Sequence, residues 1–408
     1  MKCGLLGRKL SHSYSPQIHA MLGDYPYALF EKEPEEIEDF LKNGDWTGIN
    51  VTVPYKKVVI PYLDELTPTA KKLGAVNVIV RRNGRLIGHN TDFFGFQTML
   101  AASRLDIRSK KVLVLGSGGA SNTVTAVLKD AGAEVVVISR TGENNYSNLH
   151  LHTDARLIVN TTPVGMYPNT GISPVNPALF PHLQGVLDVV YNPAHTQLLL
   201  DAGKKAGLVC GNGLLMLVAQ AKEAAEWFTE TTISDAVIEQ ILHTLELQMQ
   251  NIVLIGMPGC GKTTIGKLLA AKTGKRFADS DALVIELAGK SIPEIFAEDG
   301  EAVFRDWETR ALAELGKQSG LVIATGGGCV TKERNYELLH QNGSIFWLKR
   351  DLAFLPLDGR PLSQTNKLEE LYRIRKPMYE AFADHTVSNN NDPDGTVRQI
   401  LRDWEENR

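Results

Sequence analysis

Cysteine is scarce in this chain. Four occur among 408 residues, Cys3, Cys210, Cys260 and Cys329, and none belongs to a C-x-x-C pair. That spacing suggests neither a disulfide framework nor a cysteine-built zinc site, so all four read as reduced thiols. Long apolar runs are missing as well: none approaches the ~18 residues that a membrane-spanning helix requires. The opening Met1-Lys-Cys-Gly-Leu-Leu-Gly7 is too brief for a signal-peptide core, which predicts a cytoplasmic protein. No surplus of one charge exists, with 43 Lys and Arg against 47 Asp and Glu and a net charge of −4. These charges are scattered. They offer nothing to nucleic acid or to a membrane surface and leave small molecules as the expected partners. Low-complexity sequence is confined to Ser388-Asn-Asn-Asn-Asp392, and no internal repeat is found.

What is present is a hydrophobic fraction of 43%, ordinary for a soluble globular protein, over a length that at about 150 residues per domain implies roughly two to three domains. Two glycine-rich loops each follow a short apolar strand, at 111–115 and 252–255, and each runs into a helical pattern, as two separate nucleotide sites would. Upstream of the first loop, strand-like stretches at 47–53 and 75–80 and a helix-compatible one at 34–42 suggest a small α/β domain. Residues 214–248 read as helical, with no Pro and no Gly, and lead almost directly into the second nucleotide strand. A tandem fusion with almost no linker fits this layout.

The first loop, Gly116-Ser-Gly118-Gly119-Ala120-Ser121, has the small residues that a pyrophosphate at a helix N-terminus requires. A plain strand-to-helix turn is the alternative. The next strand, 133–138, ends in Ser139-Arg140-Thr141, where a dinucleotide fold places its ribose reader. An arginine there suits a 2′-phosphate, which favours NADP over NAD, although a solvated Arg closing a strand has the same sequence. Farther upstream, Lys56 stands just past a Pro-ended strand and Asp92 just before a helix. They could be a proton donor and its holder for ketone reduction, or simply two exposed charges.

The second loop, Gly256-Met-Pro-Gly-Cys-Gly261-Lys262-Thr263, satisfies G-x-x-x-x-G-K-[ST] after a strand. Backbone amides can cradle phosphates, Lys262 can reach the β/γ oxygens and Thr263 can bind Mg²⁺. Downstream, Asp279 and Asp281 two apart on a strand would share a face, one for the metal and one for a substrate hydroxyl; a helix cap is the other reading.

Over 1–248 the chain carries, in order, Ser11-His-Ser-Tyr-Ser-Pro16, Asn50-Val-Thr-Val-Pro-Tyr-Lys56, Gly74-Ala-Val-Asn77, Asn90-Thr-Asp92, the Gly116 loop, Asn160-Thr-Thr-Pro-Val-Gly-Met166, Tyr191-Asn-Pro193 and Met216-Leu-Val-Ala-Gln220. This set resembles the shikimate dehydrogenases. The resemblance implies that Lys56 and Asp92 are a catalytic dyad. It also implies that Ser13, Ser15, Thr52, Asn77, Tyr191 and Gln220 hold substrate, and that Gly116, Gly118, Gly119, Ala120, Ser139, Arg140, Thr141 and Gly213 bind NADP(H). Hydroxyl and amide side chains suit a polyol acid oriented by many hydrogen bonds.

Over 251–408 the phosphate loop is followed by Ser291-Ile-Pro-Glu-Ile-Phe296, Gly300-Glu-Ala-Val-Phe-Arg305-Asp-Trp-Glu308, Thr325-Gly-Gly-Gly328, Gly359-Arg-Pro-Leu362 and Arg375-Lys-Pro-Met-Tyr379. These resemble the shikimate kinases. That implies ATP bound by Gly259, Cys260, Gly261, Lys262, Thr263, Thr264 and a lid residue, Arg360, with Mg²⁺ at Thr263 and Asp279. Asp281 would handle the substrate proton beside catalytic Lys262, and Arg305, Arg375, Gly326, Gly327 and Gly328 would hold the substrate. Cys260 and Cys329 read as space-filling, since no step needs a thiolate.

The expected fold class is thus α/β throughout: a substrate domain over 1–98 with helices of 214–248 packing back on it, a Rossmann-like NADP domain over 99–213, and a P-loop kinase domain with a parallel sheet over 250–408. Two departures from the families carry expectations. The second arginine of the Asn-Arg-Thr motif is Asn144, and the stretch from Arg140 to the next strand is short, which predicts a trimmed adenosine pocket and weaker cofactor binding. The lid stretch from Leu348 to Arg360 is also short and lacks the additional arginine that most relatives carry before Arg-Pro-Leu, which predicts weaker ATP affinity. Two other readings stay open: a quinate-type polyol-acid oxidoreductase fused to another hydroxy-acid kinase, and a metabolite sensor built from inactive enzyme domains.

Overall fold

The computed structural model describes residues 1–10, 13–355, 365–390 and 392–406. Short apolar strands alternating with helices build three sheets. The first contains β1 (Cys3–Gly7), β2 (Tyr27–Glu31), β3 (Gly48–Val51), β4 (Glu65–Leu66), β5 (Val78–Arg82) and β6 (Arg85–His89), in the order β2-β1-β3-β5-β6-β4. β5 runs antiparallel to β3 and β6; the other pairs are parallel. β1 and β3 are buried at every position, because helices cover both faces and no alternation is needed. On one face Ala224, Ala225 and Phe228 of helix Leu214–Thr229 pack with Cys3, Tyr25, Val78 and Val80. On the other, Ile37, Leu41 and Trp46 close over Leu6, Ile49 and Val51. Each such large side chain contributes about 1.5–3 kcal/mol when fully buried.

The second sheet contains β7 (Lys111–Leu115), β8 (Glu134–Ile138), β9 (Leu157–Asn160), β10 (Gly185–Asp188) and β11 (Val209–Gly211), all parallel, in the order β11-β10-β9-β7-β8. The order reverses between β7 and β9, where a doubly wound sheet opens its ligand crevice at the carboxyl ends. The connection from β8 to β9 contains no helix beyond one 3₁₀ turn, Leu149–His152. The third sheet, also parallel, contains β12 (Asn251–Ile255), β13 (Arg276–Asp279), β14 (Leu321–Ala324), β15 (Gly343–Lys349) and β16 (His385–Ser388), in the order β13-β14-β12-β15-β16. Its central strands, β12 and β14, are wholly buried.

Compactness divides the chain into two units. One is Met1–Val164 with Ser173–Tyr191 and Asp201–Thr244; the other is Gly165–Ile172 with Asn192–Leu200 and Leu245–Arg408. The first two sheets lie in the first unit and the third sheet in the second.

The helices expected over 214–248 are Leu214–Thr229 and Ala236–Met249, with Glu230 left-handed between them (φ 56). The break falls in Thr229-Glu-Thr-Thr-Ile233, whose β-branched residues are weak helix formers. The Glu226 carboxylate then accepts the Ile233 N–H at 2.8 Å and fixes the turn. Among the described residues no helix is long and apolar enough to cross a membrane. All four cysteines are free.

Candidate active sites

In the first unit the chain leaves β3 and turns through Thr52 to Lys56, while helix Asp92–Ala102 starts just after β6 and carries Asp92 in its first turn. Turn and helix bring Lys56 Nζ into contact with Asp92 Oδ2, with the two side chains 29% and 15% exposed. The pair is therefore screened from bulk water yet still reachable. Asn77 fixes it: its Nδ2 donates to Asp92 Oδ1 and to Thr91 Oγ1, each at 3.0 Å, and its Oδ1 accepts from Thr91 N at 2.7 Å. Thr91 Oγ1 in turn donates to Gln220 Oε1 at 3.4 Å. Lys56, Asn77, Asp92 and Gln220, far apart in sequence, thus form one connected set.

A second cluster surrounds the serines. Ser15 opens helix Ser15–Leu22, and its N–H donates to Ser13 Oγ at 3.2 Å. Tyr27 Oη donates to Asn50 Oδ1 at 2.7 Å. Tyr191 meets Tyr14 edge-on with ring centres 6.0 Å apart, and Thr52 is hooked to β1 through its N–H to Leu6 O at 2.9 Å. Among the described residues no hydrogen bond joins Thr52 or Tyr191 to the Lys56 pair. Tyr27 and Asn50 were not singled out in the sequence; Asn50 lay inside a quoted motif, but nothing local marked Tyr27.

His19 underlies this cluster, stacked on Tyr27 at 4.1 Å with Nδ1 2.7 Å from Tyr25 Oη. Burial holds its imidazole down to about 3 against an ordinary 6.5. It stays neutral in the fold, whereas the unfolded chain takes a proton as pH falls below 6.5. Its contribution to stability is thus complete above pH 6.5 and lost as pH falls toward 3, at about 1.4 kcal/mol per unit. From pH 7 to pH 5 this removes roughly 2 kcal/mol, or about 4–8 °C of thermal midpoint. The midpoint for thermal inactivation of the first site is expected to fall by that much more in the unaltered chain than in His19→Gln. Equal falls would contradict it.

The crevice of the second sheet has the form of a dinucleotide cradle. Gly116 sits at φ +106, which L side chains rarely adopt. A Cβ built on Gly118 or Gly119 would meet nothing within 4 Å, so the start of helix Gly119–Asp130, with Ala120 next, is open to a phosphate. Past β8, Ser139 is half-buried while Arg140 and Thr141 are exposed. Arg140 lies near enough to Tyr146 to oppose the rise that burial imposes on that hydroxyl. Asn144, which stands where a second arginine was expected, meets His152 Nε2 through its Oδ1 at 3.0 Å and so serves the fold. Gly213 N donates to Val190 O at 3.1 Å and precedes helix Leu214–Thr229.

In the second unit the phosphate loop joins β12 to helix Lys262–Thr273. Lys262 is buried, and its Nζ donates to Gly256 O at 2.8 Å and Met257 O at 3.0 Å. Gly259 and Gly261 take φ +82 and +98, Cys260 is buried, and Thr263 and Thr264 are exposed. Thr263 Oγ1 donates to Asp279 Oδ2 at 3.2 Å. Among the described residues no group of three or more His, Cys, Asp or Glu could hold a metal. The hydroxyl–carboxylate pair nonetheless fits Mg²⁺, which keeps several of its waters and needs few protein oxygens.

The two aspartates do not share a strand face. Asp279 ends β13 and caps helix Ser280–Ala288, accepting the Asp281 N–H at 3.0 Å, while Asp281 lies in the first turn of that helix. The helix begins between the two acids, so the capping reading is correct for Asp279.

The triple glycine after β14 is where the substrate-side residues converge. A Cβ on Gly326 would sit 2.6 Å from Glu308 Oε1 and 2.8 Å from Asp281 Oδ1, one on Gly327 would press on the Pro258 ring, and one on Gly328 would overlap the Arg305 guanidinium. Arg375 Nη1 donates to Gly327 O at 3.1 Å, as does the Tyr379 hydroxyl. Asp281, Arg305 and Arg375 therefore face one patch of side-chain-free backbone beside the phosphate loop. Glu308, which was not singled out as a site residue, holds Arg305 Nη1 at 2.8 Å, and burial pushes its carboxyl up. Its i,i+3 spacing from Arg305 on helix Gly300–Gly316 was the available signal. Burial also pushes the Cys329 thiol up to about 12, which keeps it protonated and inert. Arg360, with Gly359, Pro361 and Leu362, lies outside the described residues.

Known families match both parts of the chain. The shikimate dehydrogenase substrate binding domain family matches residues 5–79, and the shikimate kinase family matches residues 258–405. The chain is 35% identical to shikimate dehydrogenase (NADP(+)) of Clostridium beijerinckii over 263 residues, 60% of this chain and 97% of that one. It is 37% identical to the Dehalococcoides mccartyi enzyme of the same name, over 55% of this chain and 89% of that one. Among solved structures it is similar to shikimate dehydrogenase 1 of Peptoclostridium difficile, with TM-score 0.55, 38% identity, and 60% of this chain and 98% of that one covered. It is also similar to shikimate 5-dehydrogenase of Thermus thermophilus in complex with NADP(H) and shikimate, with TM-score 0.54, 31% identity, and 60% and 99% covered. The chain therefore belongs to the shikimate dehydrogenase family over about its first three-fifths, and it carries a shikimate kinase domain over residues 258–405.

Proposed function

We propose that this chain catalyses two reactions on one carbon skeleton: NADPH-dependent reduction of 3-dehydroshikimate to shikimate, then ATP-dependent phosphorylation of shikimate at its 3-hydroxyl. The observation that carries this reading is that one chain holds two such constellations. Lys56 and Asp92 are locked by Asn77, and Asp281, Arg305 and Arg375 gather at the triple glycine next to the phosphate loop.

At the first site, NADPH supplies the hydride. Lys56 Nζ gives its proton to the oxygen that gains charge, Asp92 aims Lys56, and Asn77 aims Asp92. Ser13, Ser15, Thr52, Asn77, Tyr191 and Gln220 hold the hydroxyls and carboxylate. Gly116, Gly118, Gly119, Ala120 and Gly213 admit the dinucleotide, with Ser139, Arg140 and Thr141 at its ribose. Arg140→Ala is expected to lower the ratio of kcat/KM for NADPH to that for NADH by about ten- to hundredfold, the loss of a charge-assisted phosphate contact. A ratio near unity before mutation would contradict the assignment.

At the second site, ATP supplies the phosphoryl group. Lys262 and the amides of 259–264 steady its oxygens, while Thr263, directly, and Asp279, through water, hold Mg²⁺. Asp281 accepts the 3-hydroxyl proton, and Arg305 and Arg375 grip the substrate carboxylate through bidentate forks. We assign residues 1–98 with the helices of 214–248 to substrate binding by the reductase, 99–213 to NADP binding and 250–408 to the kinase.

Mass spectrometry of products from 3-dehydroshikimate, NADPH and MgATP, beside a mixture without ATP, tests the whole reading. Shikimate without ATP and shikimate 3-phosphate with it are expected. Shikimate in both mixtures would remove the kinase claim, and unchanged substrate would remove both.

A further inference from the structure

The short stretch from Leu348 to Arg360 lacks the relatives' additional arginine before Arg-Pro-Leu, yet Arg350, at its start, lies beside the phosphate loop. Arg350 directly follows β15, the parallel neighbour of β12, in a register that pairs Ile255 with Trp347. It therefore emerges at the carboxyl edge of the sheet, level with the loop that begins at Gly256, the edge at which parallel sheets bind ligands. Its Nη1 lies 3.8 Å from where a Cβ on Gly261 would stand. Its Nε is buried and has no hydrogen-bond partner among the described residues. A buried N–H without an acceptor costs about 1–3 kcal/mol, a cost that an arriving anion would offset.

The surroundings are rigid enough to hold such a group in place. The Asp351 N–H donates to Asn390 Oδ1 at 2.8 Å, which ties the residue after Arg350 to the loop following β16. Asn389 in that loop donates from Nδ2 to Cys260 O at 2.7 Å and accepts from Thr396 Oγ1 at 3.0 Å. Three loops at one edge of the sheet are thus joined around residues 260–261. Nearby, Lys262 is engaged with backbone carbonyls, and Arg305 and Arg375 face the triple glycine. Arg350 is the guanidinium directed at the loop's other flank.

We infer that Arg350 is a nucleotide-binding residue of the kinase site, its guanidinium donating to an oxygen of the phosphate chain cradled by residues 259–264. The inference rests on the reading of 258–405 as an ATP-dependent kinase, and it places a phosphate-binding cation at the end of β15. A charge-assisted contact of this kind corresponds to about ten- to hundredfold in affinity.

In the full chain, Arg350→Ala is expected to raise KM for MgATP and Kd for ADP by that factor and to weaken inorganic tripolyphosphate in parallel. KM for shikimate and kcat of the reductase should not move. Arg350→Lys, which keeps the charge but not the fork, should fall between. Unchanged ADP affinity would overturn the inference, and so would a rise in shikimate KM in step with that for ATP, which would mark structural damage. Weaker ADP with unaltered tripolyphosphate would overturn the phosphate assignment. ADP and tripolyphosphate are titrated calorimetrically without a second substrate, so Arg350 is judged even if unaltered protein fails to phosphorylate shikimate, the result that would instead sink the kinase reading.

Discussion

Lys56→Ala is expected to lower kcat for reduction of 3-dehydroshikimate by about 10²–10⁴-fold, the usual worth of a positioned general acid, while shikimate phosphorylation proceeds at its normal rate. The geometry explains why the loss should be large. Lys56 Nζ is held by Asp92, and Asp92 by Asn77, whose own carboxamide is saturated by Thr91. Alanine leaves no proton source at that point and leaves the Asp92 carboxylate without its cation. KM for NADPH should change little, because the residues assigned to the dinucleotide lie on the other sheet of the unit. Asp92→Asn should cost less than Lys56→Ala, since an amide can still accept from Lys56 and orient it. Near-normal turnover by Lys56→Ala would end the dyad assignment. Loss of both activities in a folded variant would end the independence of the two sites.

How much of this was legible in the sequence depended on how local each feature is. The phosphate loop is contiguous, so its spacing alone specified its chemistry, and the structure places Lys262 and Thr263 on the helix that spacing implies. The dyad is not contiguous: its partners come from a turn and a helix start, so the residues alone leave the pair beside the reading of two exposed charges, and the resemblance favours the pair. Asp279 and Asp281 show the opposite failure. Strand alternation does not extend across them, because the backbone turns helical between the two and Asp279 caps the new helix while also meeting Thr263. The helices of 214–248 carry no proline or glycine to place the break at Glu230; a run of β-branched residues and one carboxylate mark it instead. Tyr27 and Arg350 owe their importance to residues distant in sequence, and no local pattern exposes that, whereas Glu308 is marked by its i,i+3 spacing from Arg305.

Asp281→Asn is expected to be the mirror experiment, lowering kcat for phosphorylation by about 10²–10⁴-fold with reduction intact. Asparagine preserves the size of the side chain at the first turn of helix Ser280–Ala288. It also preserves an oxygen beside Gly326, where a built Cβ lies 2.8 Å from Asp281 Oδ1. It cannot accept a proton from the attacking hydroxyl. The loss should therefore appear in kcat, with KM for shikimate held within a few-fold by Arg305 and Arg375. A drop confined to KM would make Asp281 an orienting group and move proton acceptance elsewhere. In one mixture of 3-dehydroshikimate, NADPH and MgATP, Asp281→Asn should accumulate shikimate. Lys56→Ala should leave 3-dehydroshikimate untouched yet phosphorylate shikimate added from outside. Equimolar mixing of the two variants should restore the phosphorylated product from 3-dehydroshikimate, because shikimate released by one chain can be taken up by the other. Failure of that complementation, with each single activity normal, would mean that the intermediate does not leave the chain on which it forms.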